Sequence, residues 1–184
     1  MGKLRIISGE YRSRVIEFND KNIIIRPTLS RIRETLFNWL GQDLTNKVCL
    51  DLFSGSGSLA FESASRNAFH VYAIESNYNV YLDLIKNQKL LNCKNLSVSH
   101  ENGIHYLEKC KSNLFFDIIF LDPPFDSNLL EISLTLILNK QLLHKSGVLY
   151  IEYQKPIKLL NNFHIIKQGR AGVVNYALIS AISV

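Results

Sequence analysis

The sequence predicts an α/β fold on a mainly parallel sheet, and three observations carry that prediction. From Lys47 onward, short apolar runs alternate with stretches of helical periodicity. Strands separated by helices require crossover connections, which lay helices over both faces of a parallel sheet. The last two apolar runs, FHIIKQG and VVNYALISAIS, meet at a tight GRAG turn and predict an antiparallel pair at the end of the chain.

The elements follow in order. LRIISG and SRVIEF, separated by the polar EYR, predict a small hairpin, and NIIIRP predicts an extended piece ended by Pro27. TLSRIRETLFNWLG has Thr28 or Ser30 as a cap, apolar Ile32, Leu36, Phe37 and Leu40, and Gly41 as a stop. It predicts an amphipathic helix that shows Arg31 and Arg33 on its opposite face. Residues 1–41 therefore form an extension before the main domain, residues 42–184. In the main domain KVCLDLF, HVYAIE, NLSVSH, FFDIIFL and SGVLYIEY predict strands. SLAFESASRN, NYNVYLDLIKNQKLLN, GIHYLEKC and NLLEISLTLILNK predict the helices between them.

At 184 residues, 47% hydrophobic and 20% charged, the chain suits one well-buried soluble domain. Its longest apolar runs fall far below the roughly 18 to 20 residues that cross a bilayer, and its start lacks the apolar segment of a secretion signal. A cytoplasmic protein without membrane contact is expected. Cys49, Cys93 and Cys110 are odd in number and show no CxxC spacing, so neither a disulfide framework nor a metal site is indicated. The histidines are scattered and make no metal or triad pattern.

Charge is unevenly placed. Residues 1–33 hold eight cations against three acids, a surplus of five, while the other 151 residues are balanced. Six of the eight are arginine: Arg5, Arg12, Arg14, Arg26, Arg31 and Arg33. Arginine pairs bidentately with phosphate and stacks on bases, so these six are the RNA-binding candidates. A solvated, solubilising arm is the competing reading.

In a parallel sheet ligands bind beyond the carboxyl ends of the strands, and the motifs lie there. The first main strand ends in DLFSGSGSLA. Gly55 and Gly57 let the backbone turn and approach a ligand in front of a helix N-terminus. Gly55-x-Gly57-x-x-Ala60 also fits a dinucleotide fingerprint. Asp51 just upstream favours instead a ligand with a cationic amino-acid head and no phosphate, such as S-adenosylmethionine. Asp51, Phe53, Gly55 and Gly57 are thus donor-binding candidates. Glu75 ends the next strand, 20 residues past Gly55, where an acid can accept both ribose hydroxyls. Asn102 follows the third strand, placed either to meet an adenine edge or to cap a helix.

The fourth strand ends in IIFLDPPFDS. Asp122, Pro123, Pro124 and Phe125 could form a simple turn. The prolines also lock φ and remove two backbone donors, leaving a surface that only accepts hydrogen bonds. Such a surface recognises an NH2 group. Asp122 and the Pro123 carbonyl could hold both hydrogens of a nucleobase amine, with Phe125 stacked on the base.

Taken together, MGKLRIISGEYRSR, RPTLSRIRETLFNWL, DLFSGSGSLAFESASR, FLDPPF and AGVVNYAL resemble the RsmD family, the bacterial 16S ribosomal RNA guanine-N2 methyltransferases. The likeness runs end to end. It implies a Rossmann-like seven-stranded methyltransferase sheet with an N-terminal hairpin and helix, S-adenosylmethionine as donor, and 16S rRNA in the 30S subunit or an assembly intermediate as partner. A monomer is expected. Asp51, Gly55 and Gly57 match the family's donor loop, Glu75 its ribose acid, Asn102 its adenine position, where many members have an acid, and Asp122 to Phe125 its catalytic loop. Ser58, Phe61 and Asn67 depart from the usual loop GSGALGLEALSRG. Val173 stands where related chains often have glutamine.

Three alternatives stay open. An oxidoreductase would use the glycines and Glu75 but leaves Asp51 and DPPF idle. An adenine-N6 methyltransferase acting on DNA or RNA would share DPPF, yet on DNA the chain has no room for a separate sequence-reading domain. A ribosome-binding protein without catalysis would keep only the arginines.

Overall fold

The computed structural model describes residues 2–19, 30–111, 114–155 and 161–182. The chain begins with β1 (Gly2–Arg5) and β2 (Val15–Phe18), which pair antiparallel as a separate two-stranded sheet with Gly2 opposite Phe18. The connection between them turns at Gly9, whose φ is +82°. A Cβ there would lie 1.7 Å from the Ser65 carbonyl oxygen, so only glycine fits. The extended piece expected at NIIIRP lies outside the described residues, as does Thr28.

Helix α1 (Ser30–Leu40) buries Ile32, Arg33, Leu36 and Phe37. Arg33 is therefore a correction to the expectation of an exposed cation. Positions 33, 36, 37 and 40 are three, four and seven apart and share one helical face, so Arg33 lies on the apolar stripe. Only 1% of it is exposed, and its Nη2 donates to the Arg5 carbonyl at 3.3 Å.

The alternation then runs β3 (Val48–Asp51), α2 (Ser58–Ser65), β4 (His70–Glu75), α3 (Tyr78–Leu91), β5 (Leu96–His100), α4 (Gly103–Lys109), β6 (Phe116–Leu121) and α5 (Leu129–Asn139). Strands β7 (Leu143–Tyr153), β8 (Phe163–Ala171) and β9 (Val174–Ala181) complete it. The seven strands lie in the order β5-β4-β3-β6-β7-β9-β8. Those from β5 to β7 are parallel, and β9 runs antiparallel to β7 and β8, as the crossovers and the final turn predict. The turn is tighter than expected. Ala171 pairs with Val174, so Gly169 and Arg170 belong to β8 and Gly172 and Val173 alone connect the strands. A two-residue connection suits the twist of an antiparallel pair.

Alternation along β6 fills both faces of the sheet. Ile118 and Phe120 point into one cluster with Leu36, Phe37, Phe61 and Tyr150. Ile119 and Leu121 join Leu50, Leu134 and Ile151 in the other. Each such side chain contributes about 1.5–3 kcal/mol by leaving water. Leu4, Ile6, Ile16 and Phe18 of the hairpin enter the first cluster too, and the connection between its strands bonds α2 through Glu62 and Ser65. All eight α2 residues are consequently buried.

Candidate active site at the switch point of the sheet

Strand order reverses between β3 and β6, since the chain leaves β3 toward β4 on one side and returns through β6 on the other. A crevice opens at such a point. Asp51 faces Phe120 across the β3–β6 pair, so the glycine loop and the DPPF loop leave adjacent strand ends.

The glycine loop is held by its own acids and carbonyls. Asp51, 4% exposed, accepts a hydrogen bond from the Ala60 amide in the first turn of α2. Burial pushes its carboxyl up to about 7; the Ala60 bond opposes this and the charge of Glu75 adds to it. Ser54 Oγ donates to the Asp51 carbonyl at 2.9 Å, and Gly57 N donates to the Ser54 carbonyl at 2.7 Å. Gly57 has φ +77°, and a Cβ there would lie 2.5 Å from Leu84 Cδ2, which makes the turn specific to glycine. Phe53 is half-buried against the second cluster.

Glu75 is half-buried at the end of β4, and its two oxygens reach in two directions. Oε2 accepts from Gly55 N at 2.9 Å, and Oε1 accepts from Asn77 N at 2.7 Å. It therefore fastens the glycine loop to the start of α3, and a carboxylate has about four lone-pair positions for such work. Asn102 caps α4: its Oδ1 accepts from Ile104 N at 2.9 Å and His105 N at 3.2 Å. The oxygen is committed to the helix, so any ligand contact there runs through the amide nitrogen. Two acids beside a helix N-terminus suit a ligand that is cationic at one end and carries hydroxyls at the other. They do not suit a pyrophosphate.

In the DPPF loop Pro123 is buried, Asp122 and Phe125 are half-buried and Pro124 is exposed. Ser127 donates to the Pro124 carbonyl from both its amide, at 3.2 Å, and its hydroxyl, at 2.5 Å. The turn thus consumes Pro124's acceptor, and Asp122 and the Pro123 carbonyl are the acceptors that precede it. A cavity of about 440 Å³ lies beside the loop, lined by Pro123, Pro124, Phe125, Glu152, Tyr153 and Lys155 among others. That volume is in the range of small-ligand sites.

Glu152 and Tyr150 escaped the sequence reading. Glu152 is 4% exposed and accepts from the hydroxyl of the fully buried Tyr150 at 2.7 Å. Burial raises the Tyr150 pKa well above its ordinary value, and the charges of Glu152 and then Asp122 reinforce the shift. Leu121 pairs with Ile151, so Asp122 and Glu152 follow side by side at the ends of β6 and β7. An acid inside the apolar run VLYIEY, on the strand next to DPPF, is the signal that could have found it.

Of the arginines, Arg5, Arg12, Arg14 and Arg31 are exposed, Arg26 lies outside the described residues, and Arg33 is buried. Arg14 Nη2 donates to the Leu90 carbonyl at 3.4 Å. The connection that carries Arg12 and Arg14 is fastened to α2: the amides of Ile7 and Ser8 donate to Glu62 at 2.8 and 3.0 Å, and that of Tyr11 donates to Ser65 Oγ at 2.9 Å. Val173 stands 64% exposed at the β8–β9 turn.

The family model described as Conserved hypothetical protein 95 matches residues 4–180. Ribosomal RNA small subunit methyltransferase D of Haemophilus influenzae is 36% identical over 182 residues, 96% of this chain and 93% of that protein. The protein of the same name from Buchnera aphidicola subsp. Acyrthosiphon pisum is 42% identical over 159 residues, 86% of this chain and 82% of its own length. A solved structure from Escherichia coli superposes with a TM-score of 0.88 at 34% identity and covers 98% of both chains. The fold is thus the Rossmann-like methyltransferase sheet that the family resemblance implied. A match from hairpin to last strand, at these identities, shows that the chain belongs to the RsmD family, the ribosomal RNA small subunit methyltransferase D proteins.

Proposed function

We propose that this protein methylates the exocyclic 2-amino group of a guanine in 16S rRNA. S-adenosylmethionine is the donor, and the family resemblance points to guanine 966. The observation that carries the reading is the placement of an acceptor-only DPPF loop on the strand next to the glycine loop, with a cavity beside it.

Bound S-adenosylmethionine supplies an electrophilic methyl group on a sulfonium. Its amino-acid end would lie by Asp51 and its ribose by Glu75, whose oxygens already organise the loop. A guanine amine is a poor nucleophile because its lone pair is delocalised into the ring. Asp122 and the Pro123 carbonyl, by accepting its two hydrogens, would turn that lone pair toward the donor. Positioning of this kind is the main contribution an enzyme makes when the reactants are already suitable. Phe125 supplies a face for stacking, and the base must be unpaired or extruded to reach it.

Arg5, Arg12, Arg14 and Arg31 would engage RNA phosphates, with Arg26 in the same arm. The division of labour falls at about residue 41, RNA grip before it and methyl transfer after it. The protein acts as a cytoplasmic monomer on the 30S subunit or an assembly intermediate. Incubation with radiolabelled donor and 30S subunits from a strain lacking this activity, followed by mapping of the modified base, tests the reading. Label at the guanine 2-amino group is expected, and label in adenine, DNA or protein overturns it.

A further inference from the structure

Asp122 and the Pro123 carbonyl explain how an amine is held but not why the base is guanine, since adenine and cytosine also carry amines. What separates guanine is the atom next to its amine. Its ring N1 carries a hydrogen, whereas adenine N1 is an acceptor. A pocket that selects guanine therefore needs a second acceptor beside the one that holds the amine.

Glu152 has that position. It is the second-last residue of β7, next to Ile151, which pairs with Leu121 just before Asp122; it lines the cavity with Pro123, Pro124 and Phe125, and is 4% exposed. The Tyr150 hydroxyl donates to its carboxylate at 2.7 Å from the buried side and helps to orient it. We propose that Glu152 is the specificity-determining residue of the pocket: its carboxylate accepts the N1 hydrogen of guanine while Asp122 accepts from the adjacent amine, and Tyr150 positions it. Adenine would set its N1 lone pair against this carboxylate and leave a buried charge facing an acceptor. A site built to bond a particular N–H can reject an analogue lacking it by about 10⁴-fold.

The inference rests on the guanine-amine reading, and 2-aminopurine tests it separately. This base keeps the 2-amino group but has a bare acceptor at N1. RNA carrying guanine or 2-aminopurine at the target position is given to wild-type protein and to Glu152→Gln. Wild type should prefer guanine by at least about a hundredfold in kcat/KM, which is about 2.7 kcal/mol of discrimination. Glu152→Gln is nearly isosteric and can donate from its amide, so it should lose activity on guanine and gain on 2-aminopurine, narrowing the ratio at least tenfold. The ratio is indifferent to how much variant is folded. Tyr150→Phe provides a second reading, with a ratio narrowed severalfold. Equal losses on both bases, or an unchanged ratio in both variants, would overturn the role of Glu152. Failure of wild type to methylate guanine at its amine would overturn the underlying reading instead.

Discussion

Arg66 donates to Glu62 at 2.8 Å, one turn apart on α2, and the pair is enclosed with 2% and 0% of the side chains exposed. Arg66 also bonds Gln42 and lies 4.6 Å over the ring of Phe37. Glu62 at the same time receives the amides of Ile7 and Ser8. Removing one partner leaves the other charge buried and uncompensated. Glu62→Ala or Arg66→Ala should therefore cost about 3–5 kcal/mol, measured by urea unfolding. The double variant Glu62→Leu, Arg66→Met should cost less than either single change. A double variant as unstable as the sum of the two would show instead that each side chain acts independently, through its other partners.

In the proposed mechanism Asp122 faces the substrate amine, while Asp51 and Glu75 face the donor. Asp122→Ala should lower methyl transfer by at least about a hundredfold, the scale of a misplaced reactant. Donor affinity by calorimetry should stay within about twofold. Equal loss of both would remove the division of labour between the strand ends.

Asp51 titrates near 7 because it is buried, against an ordinary value of 3.8. The native state thus keeps a proton that the unfolded state releases, so this group lowers stability as pH rises from about 4 to 7. Asp51→Asn should be more stable than wild type above about pH 7, with the difference vanishing below about pH 4. Donor binding has the opposite slope. A cationic donor favours the ionised carboxylate, so affinity should rise toward pH 8 in wild type and stay flat in Asp51→Asn. Melting curves and calorimetry across that range check both signs.

Arg12 and Arg31 are exposed cations of the basic segment. Replacing either with alanine should weaken RNA binding and flatten its dependence on log salt by about 0.7–0.9 per lost phosphate contact. Arg33→Met should leave the salt slope unchanged, because that side chain is enclosed. A slope unaltered by Arg12→Ala and Arg31→Ala would make the arm merely solubilising.

The parallel sheet was legible because each strand is a short apolar run with a helical stretch behind it, and the turn after β3 was legible because Gly55 and Gly57 follow that run directly and both take positive φ. Arg33 was misread because its charge outweighed its helical position: residues 32, 33, 36 and 37 form one stripe, and burial of that face of α1 was a tertiary fact. Asn102 offered two readings, and the structure shows the cap. Glu152 was hidden inside an apolar run, and only the pairing of β6 with β7 brings it beside Asp122. Glu62 and Arg66 stand four apart, as many exposed pairs do, and their enclosure depends on the hairpin connection that bonds Glu62.

Helix α2 is attached at both ends. Its first turn receives the glycine loop and Asp51, and its last turn holds the hairpin connection through Glu62 and Ser65. Eight residues span only about 12 Å, and none is exposed enough to flex independently. The connection that carries Arg12 and Arg14 and the glycine loop therefore keep a fixed offset, like two jaws machined from one block. If Arg12 and Arg14 grip RNA as proposed, the described residues between them and the glycine loop supply no joint with which to reach for a base. The nucleic acid must do the moving, and a rRNA segment that cannot bend its target into that offset is excluded by geometry before any base is read.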